Sequence, residues 1–335
     1  MSDQPVVRTK NLSKHYGDII ALENLSIELE RGRILGFIGP NGAGKTTTIN
    51  ILVGLARPTA GEAFISGCDC TRDVKRIQQL VGFMPDTFGT YDNMRVTEYL
   101  DFFGAAFKIP RQKRRERIDW ALDLANATWM RDRYVDALSH GMKQRVGIAR
   151  TMLHDPDVLI LDEPANGLDP NARIEMRQTL LRLSEMGKTL IVTSHILPEL
   201  SRICDTVAII TDGILRAFGT LDQILNQVRQ RRIIVVQLAN PQQVDAASGF
   251  LREQLDDTDE VTPSTTEAEV RFTTSRGEQA LAELLKALLA QDLVVCQYHE
   301  VPLDLEDAFM SVTAATEDQQ SSKVTESLAA ATQES

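Results

Sequence analysis

Long apolar runs are missing from this chain. None reaches about eighteen residues, the length a helix needs to cross a bilayer, so no membrane-spanning helix is expected. Positive charge is also short. Lys and Arg number 36 against 47 Asp and Glu, a formal net charge of -11 over 335 residues. Nucleic-acid binding favours basic faces, so that function class is disfavoured and no nucleic-acid partner is expected. The N-terminal run Met1-Ser2-Asp3-Gln4-Pro5 lacks a basic segment and an apolar segment, so no signal peptide is expected. The four cysteines are therefore read as reduced thiols of a cytosolic chain. Cys68 and Cys70 would share one face of a strand, but no His or further Cys stands near them in sequence to complete a metal set. What remains is ordinary. A hydrophobic fraction of 43% and a charged fraction of 25% suit a globular protein. The length suits two domains, or one large domain with an appendage.

One stretch organises the rest. Gly39-Pro40-Asn41-Gly42-Ala43-Gly44-Lys45-Thr46 fits the phosphate-binding pattern G-x-x-x-x-G-K-[ST]. The apolar run Ile34 to Ile38 before it reads as a buried strand, and Lys45 to Leu52 after it reads as a helix. Gly42 and Gly44 let the backbone curl so that its N–H groups converge on a phosphate, and the helix N-terminus adds partial positive charge. Thr47 lies in the first turn of that helix. Lys45 is placed to reach the β- and γ-phosphates of a nucleotide, and the Thr46 hydroxyl to ligate Mg²⁺. An ordinary glycine turn has no reason to put Lys-Thr at that offset after an apolar strand.

Further along, Val81 to Asp86 is a strand running into a loop. Val96 to Phe107 and Arg111 to Leu124 carry helical spacing. Lys108, Arg111, Lys113, Arg114, Arg115 and Arg117 make a locally basic cluster in an acidic chain. It is either a solvated helix face or a contact for anionic lipid headgroups or a partner. Ser139 is a good N-cap for the helix that follows. The apolar run Val158 to Leu161 ends in Asp162-Glu163-Pro164. Two adjacent carboxylates at the end of a buried strand either open into solvent or hold a cation, and the upstream phosphate loop favours Mg²⁺ on Asp162. A second apolar strand, Thr189 to Thr193, leads to His195, at the strand edge where α/β sheets hold ligands.

These pieces together resemble the ATP-binding subunit of an ABC transporter, over roughly residues 5 to 220. The phosphate loop resembles Walker A. Leu138-Ser139-His140-Gly141-Met142 resembles the ABC signature, with His140 and Met142 in place of the usual Gly and Gln. Leu159 to Glu163 resembles Walker B followed by the catalytic glutamate. Gly167-Leu168-Asp169 stands where the D-loop belongs, His195 where the switch histidine belongs, and Tyr16 where an aromatic stacks on adenine. Asp86 stands in place of the usual Q-loop glutamine and would face the metal. The resemblance implies an α/β P-loop ATPase fold with an antiparallel β-subdomain and a helical subdomain. It implies ATP and Mg²⁺ as ligands and a head-to-tail homodimer, each ATP lying between Walker A of one chain and Ser139 and Gly141 of the other. It implies an integral-membrane permease as partner, at the cytoplasmic face of the membrane. The loop Asp86 to Met94, with Phe88 and Tyr91, would receive a short helix of that permease, or the two aromatics pack within the helical subdomain. The departures at Asp86, His140 and Met142 resemble those of ABC-2-type exporter subunits. Translation or DNA-repair ATPases of the same superfamily, and a regulatory module with weak catalysis, are the alternatives. One Walker A and the short interval to the signature disfavour the first two.

Residues 221–311 read as a small α+β domain. The order is strand (Arg232 to Leu238), helix (Gln243 to Leu255), hairpin (Glu260 to Thr273, turning at Pro263-Ser264), helix (Gln279 to Leu289), strand (Leu293 to Tyr298). That is the order of a ferredoxin-like unit. Leu305 to Phe309 resembles a closing helix, and residues 312–335 read as a disordered polar tail.

Overall fold

The computed structural model describes residues 5–301, except 88, 90–92, 196–199, 201, 229–231, 257, 258 and 292. The loop aromatics Phe88 and Tyr91, the closing helix and the polar tail anticipated above lie outside the described residues. The chain divides into two compact units between Leu221 and Asp222.

In the first unit the strands are β1 (Val7–Tyr16), β2 (Ile19–Leu25), β3 (Glu28–Leu29), β4 (Ile34–Ile38), β5 (Ala60–Ile65), β6 (Cys68–Asp69), β7 (Val81–Met84), β8 (Val158–Leu161), β9 (Thr189–Ser194), β10 (Thr206–Thr211) and β11 (Ile214–Gly219). Its helices are α1 (Lys45–Leu52), α2 (Val74–Leu80), α3 (Val96–Ala106), α4 (Arg111–Leu124), α5 (His140–Met152) and α6 (Pro170–Glu185). The strands form one sheet in the order β6-β5-β1-β2-β11-β10-β4-β9-β8-β7, with β3 on β1. The β10-β4-β9-β8-β7 block is parallel. Strands β4 and β8 carry no polar side chain because both faces are covered, as parallel sheets require. The β1, β2, β3, β5 and β6 group is antiparallel.

Register decides where the site sits. Ile38 pairs with Ser194, and Leu161 pairs with Val192. The C-terminal ends of β4, β9 and β8 therefore stop side by side, and the segments starting at Gly39, His195 and Asp162 leave the sheet together. Tyr16 stands at the edge of this sheet. It is the last residue of β1 and pairs with Ile19 across the turn at Gly17, where φ is 59°.

A helix α7 (Leu221–Val228) spans the division between the units. The second unit follows as β12 (Arg232–Leu238), α8 (Val244–Gln254), β13 (Val261–Ser264), β14 (Glu269–Thr274), α9 (Glu278–Leu289) and β15 (Val295–Val301). Its sheet runs β13-β14-β12-β15, and every neighbouring pair is antiparallel. With the β-α-β-β-α-β order this is the ferredoxin-like topology. Ile234, Val236, Val270 and Phe272 point to one face and pack with Ala247, Leu251, Leu281 and Leu288. The hairpin turns between Ser264 and Glu269 rather than at Pro263-Ser264. Pro263 is tolerated within β13 because that strand is at the sheet edge and need not donate outward.

Candidate functional site

The phosphate loop rises from β4, whose five residues are all buried. Gly39 cannot carry a side chain, because a Cβ there would lie 2.2 Å from the Ile210 carbonyl oxygen. Gly44 caps α1 with φ 103°, and a Cβ there would lie 2.6 Å from the Ala21 carbonyl oxygen. Both close approaches, and the left-handed turn at Gly44, need glycine. The first turn of α1 has no acidic residue, so its partial positive charge is not neutralised locally. Pro40 to Thr47, Asp86, Asp162 and Glu163 line a cavity of about 210 Å³ above this turn.

Lys45 is buried. Its ammonium donates to the Gly39 carbonyl at 2.6 Å and the Pro40 carbonyl at 3.1 Å, and lies 3.7 Å from Glu163 Oε1. Burial pulls the Lys45 pKa below its usual value, and the Glu163 and Asp162 carboxylates oppose that pull.

Asp162 and Glu163 leave the end of β8 in different directions. Asp162 Oδ2 accepts from the Thr46 hydroxyl at 3.3 Å, and Oδ1 accepts from the Thr193 hydroxyl at 2.6 Å. Burial raises the Asp162 pKa. The Thr193 bond opposes the rise, while the Glu163 and Asp86 charges reinforce it. Glu163 has φ 51°, a left-handed conformation that costs a non-glycine residue about 1 kcal/mol or more. Its N–H donates to Thr193 Oγ1 at 2.8 Å, which fixes that turn. Glu163 Oε1 faces Lys45, while Oε2 accepts from His195 Nδ1 at 2.8 Å. A carboxylate acceptor requires the proton on that nitrogen. Glu163 Oε1 is buried without a hydrogen-bond partner, so a polar ligand or water beside it would satisfy a group that is otherwise costly.

The donor set suits a hard divalent cation. Thr46 Oγ1 and Asp162 Oδ2 are neighbours, and Asp86 lines the same cavity. Among the described residues no group of three His, Cys, Asp or Glu side chains forms a metal cluster.

Not every anticipated residue converges here. Ser139 caps α5, its side chain accepting from the Met142 N–H at 3.4 Å, and it is exposed. Neither Ser139 nor Gly141 lines the cavity of its own chain. His140 Nε2 lies 2.8 Å from the Asn166 carbonyl and ties the start of α5 to the segment after Glu163. Asn166 also donates to Asp86 Oδ1 at 3.4 Å. Tyr16 is 49% exposed with the Lys14 ammonium 4.6 Å from its ring centroid, and it too lies outside the cavity lining. Two contributors escaped the sequence reading: Thr193, which bridges both carboxylate residues, and Asn166. The one available signal was a threonine following the apolar run Leu190 to Val192.

Residues 22–166 match a family model described as ABC transporter. The chain is 37% identical over 209 residues to the Nod factor export ATP-binding protein I of Ralstonia nicotianae, a match covering 62% of this chain and 65% of that protein. It thus spans just under two thirds of that relative. It is 34% identical over 309 residues to an uncharacterized ABC transporter ATP-binding protein, YcbN, of Bacillus subtilis, covering 92% of this chain and 96% of that one. It is 34% identical over 224 residues to a probable multidrug ABC transporter ATP-binding protein, YbhF, of Escherichia coli, covering 67% of this chain and 39% of that one. Among solved structures, an ATP-binding subunit of an ABC transporter matches with TM-score 0.61 at 29% identity, over 67% of this chain and 93% of that one. A bacterial ABC transporter cassette solved as a dimer matches with TM-score 0.59 at 27% identity, over 64% of this chain and 98% of that one.

Proposed function

Because the chain belongs to the ABC transporter ATP-binding family, whose members are ATPases, we propose that it hydrolyses Mg²⁺-ATP between two copies of itself and drives an integral-membrane permease. Phosphoryl transfer needs positioning and charge neutralisation more than covalent catalysis. The backbone N–H groups of Asn41 to Thr47 hold the phosphates in the loop that Gly39 and Pro40 open. Lys45 neutralises the β- and γ-phosphates. Thr46 and Asp162 hold Mg²⁺ with Asp86 at its flank, and the ion, when bound, adds neutralising charge on the phosphate oxygens. Glu163 orients a water against the γ-phosphorus and takes its proton as the bond to the bridging oxygen breaks and ADP departs. His195 fixes the Glu163 carboxylate and contacts the γ-phosphate. Tyr16 stacks on adenine. Ser139 and Gly141, which lie apart from their own chain's cavity, complete the site of the second copy in a head-to-tail dimer. ATP then closes the dimer and hydrolysis reopens it, a two-state element that a permease can follow. The unit from Asp222 onward serves as an accessory domain.

Export is the favoured direction, on an ABC-2-type permease, because one relative is named for Nod factor export and another as a probable multidrug ABC transporter. The same names disfavour translation and repair roles. The protein would then sit at the cytoplasmic face of the membrane, held by its permease.

The observation that carries this reading is Glu163, turned left-handed so that one oxygen faces Lys45 and the other His195. Purified full-length protein is expected to release phosphate from ATP in the presence of Mg²⁺. Glu163→Gln should lower turnover by about 100-fold or more while ATP still binds. Turnover equal to wild type would remove Glu163 from the chemistry.

A further inference from the structure

The bonds around His140 have no part in the function described above. His140 stands between Ser139 and Gly141, the two residues assigned to the second copy's ATP. Its Nε2 lies 2.8 Å from the Asn166 carbonyl oxygen, 26 residues further along the chain. Two acceptors at that distance would repel, so Nε2 carries the proton and donates. The ring lies against the Gly167 backbone, where an added Cβ would be 3.4 Å from His140 Cδ2. Gln144, one turn further along α5 and buried, brings its amide to 3.3 Å from the same ring nitrogen. The ring thus has fixed neighbours although His140 is exposed.

The acceptor belongs to a tightly bonded segment. After Glu163 the chain turns twice, the Asn166 N–H donating to the Glu163 carbonyl at 3.0 Å and the Leu168 N–H to the Ala165 carbonyl at 3.3 Å. The Asn166 side chain reaches Asp86 Oδ1 at 3.4 Å, and Asp86 lines the nucleotide cavity. Gly141 lets α5 approach the same segment closely, since a Cβ there would sit 3.3 Å from Leu168 Cδ2 and 3.8 Å from Ala172 Cβ. The Ser139 cap is longer, at 3.4 Å, and closes within α5 itself. The His140 bond instead runs out of the helix to the residues that follow Glu163. A helix N-terminus acts on an anion only within its first turn. A shift of that turn therefore changes what it offers to a γ-phosphate, and a shift at Asn166 moves the acceptor that holds it.

We propose that His140 is a positioning residue. Through Asn166 it ties the helix start that each chain offers to its partner's ATP to the segment after Glu163 in its own chain, so that the two ATP sites of a dimer respond to each other. His140 does not line its own chain's cavity and acts through α5. The proposal rests on the head-to-tail dimer of the preceding reading.

The test compares His140→Ala, which removes the donor, with His140→Gln, whose amide nitrogen can reach the same carbonyl, in the full-length chain. Fluorescent-nucleotide titration of dilute protein should give the wild-type affinity for both. In a Glu163→Gln background, sedimentation velocity with Mg²⁺-ATP should show dimers weakened about fivefold or more by His140→Ala, the worth of a hydrogen bond. With Glu163 intact, kcat should fall by a similar factor and the Hill coefficient for ATP should drop towards unity. His140→Gln should restore all three. Dimerisation, kcat and Hill coefficient equal to wild type in His140→Ala would overturn the proposal and leave the dimer standing. A joint fall in melting temperature and nucleotide affinity with an unchanged Hill coefficient would overturn it too, because a purely structural bond behaves that way. Failure of the Glu163→Gln chain itself to dimerise with ATP would overturn both the proposal and the dimer.

Discussion

The Thr193 hydroxyl lies 2.6 Å from Asp162 Oδ1 and also accepts the Glu163 N–H at 2.8 Å. One fully buried side chain on β9 thus fixes both residues at the end of β8. Removing it leaves a carboxylate oxygen and a backbone N–H without their partner.

Thr193→Val keeps the shape and deletes the hydroxyl. Buried polar groups stripped of a partner cost about 1–3 kcal/mol each. With two groups stripped, we expect a loss of unfolding free energy of about 2–6 kcal/mol by urea titration, together with a fall in ATP turnover. Thr193→Ser should restore most of both. A Val variant with normal stability and turnover would show that the bridge is incidental.

Gly39→Ala tests the tight approach of the phosphate loop to β10. The added Cβ would meet the Ile210 carbonyl at 2.2 Å, so loop or strand must move. Overpacking of this kind costs about 1–3 kcal/mol. A lowered melting temperature and loss of ATP binding by fluorescent-nucleotide titration are expected together.

His154 gives a pH dependence. Its Nε2–H donates to the Val81 carbonyl at 3.2 Å, and its Nδ1 is buried without a partner. Burial holds its pKa below the ordinary 6.5, although the Val81 bond opposes the shift. A depressed folded pKa means that the unfolded chain binds the proton first as pH falls. The stabilising contribution is therefore present above about pH 6.5 and is lost as pH drops through the folded pKa. Thermal melts of wild type and His154→Phe between pH 7.5 and pH 5 should differ in slope, the variant being the flatter.

Gly141→Asp addresses the second copy. Gly141 lies near the start of α5, where a Cβ would sit 3.3 Å from Leu168 Cδ2. A carboxylate here would meet the γ-phosphate of the partner's nucleotide with like charge. In a Glu163→Gln background, ATP should drive dimer formation by sedimentation velocity, and Gly141→Asp should abolish it while each chain still binds nucleotide. Persistent dimers would place the signature helix outside the nucleotide interface.

The phosphate loop was legible in sequence because its work is done by backbone, and backbone shape is written in glycine positions such as Gly42 and Gly44. The strand carrying Asp162 was legible for a related reason: a fully apolar run that stops at two acids has few explanations. Thr193 was not legible. Its role depends on β8 and β9 being neighbours with Leu161 opposite Val192, and pairing between strands some thirty residues apart leaves no local trace. The ferredoxin-like order of the second unit could be read from alternating periodicities. The hairpin turn there was misplaced because Pro263 breaks most strands but not an outermost one.

Strand order has one more consequence. β9 lies between β4 and β8, so the loop that carries Lys45 and the strand end that carries Asp162 are two strand widths apart, about 9.6 Å. That interval is a gauge. Its width is fixed by hydrogen bonding between strands rather than by side chains, so drift in the surrounding sequence leaves it untouched. His195 leaves the middle strand and stands at the midpoint of the gauge. Slippage of either outer strand would have to break its ladder with β9.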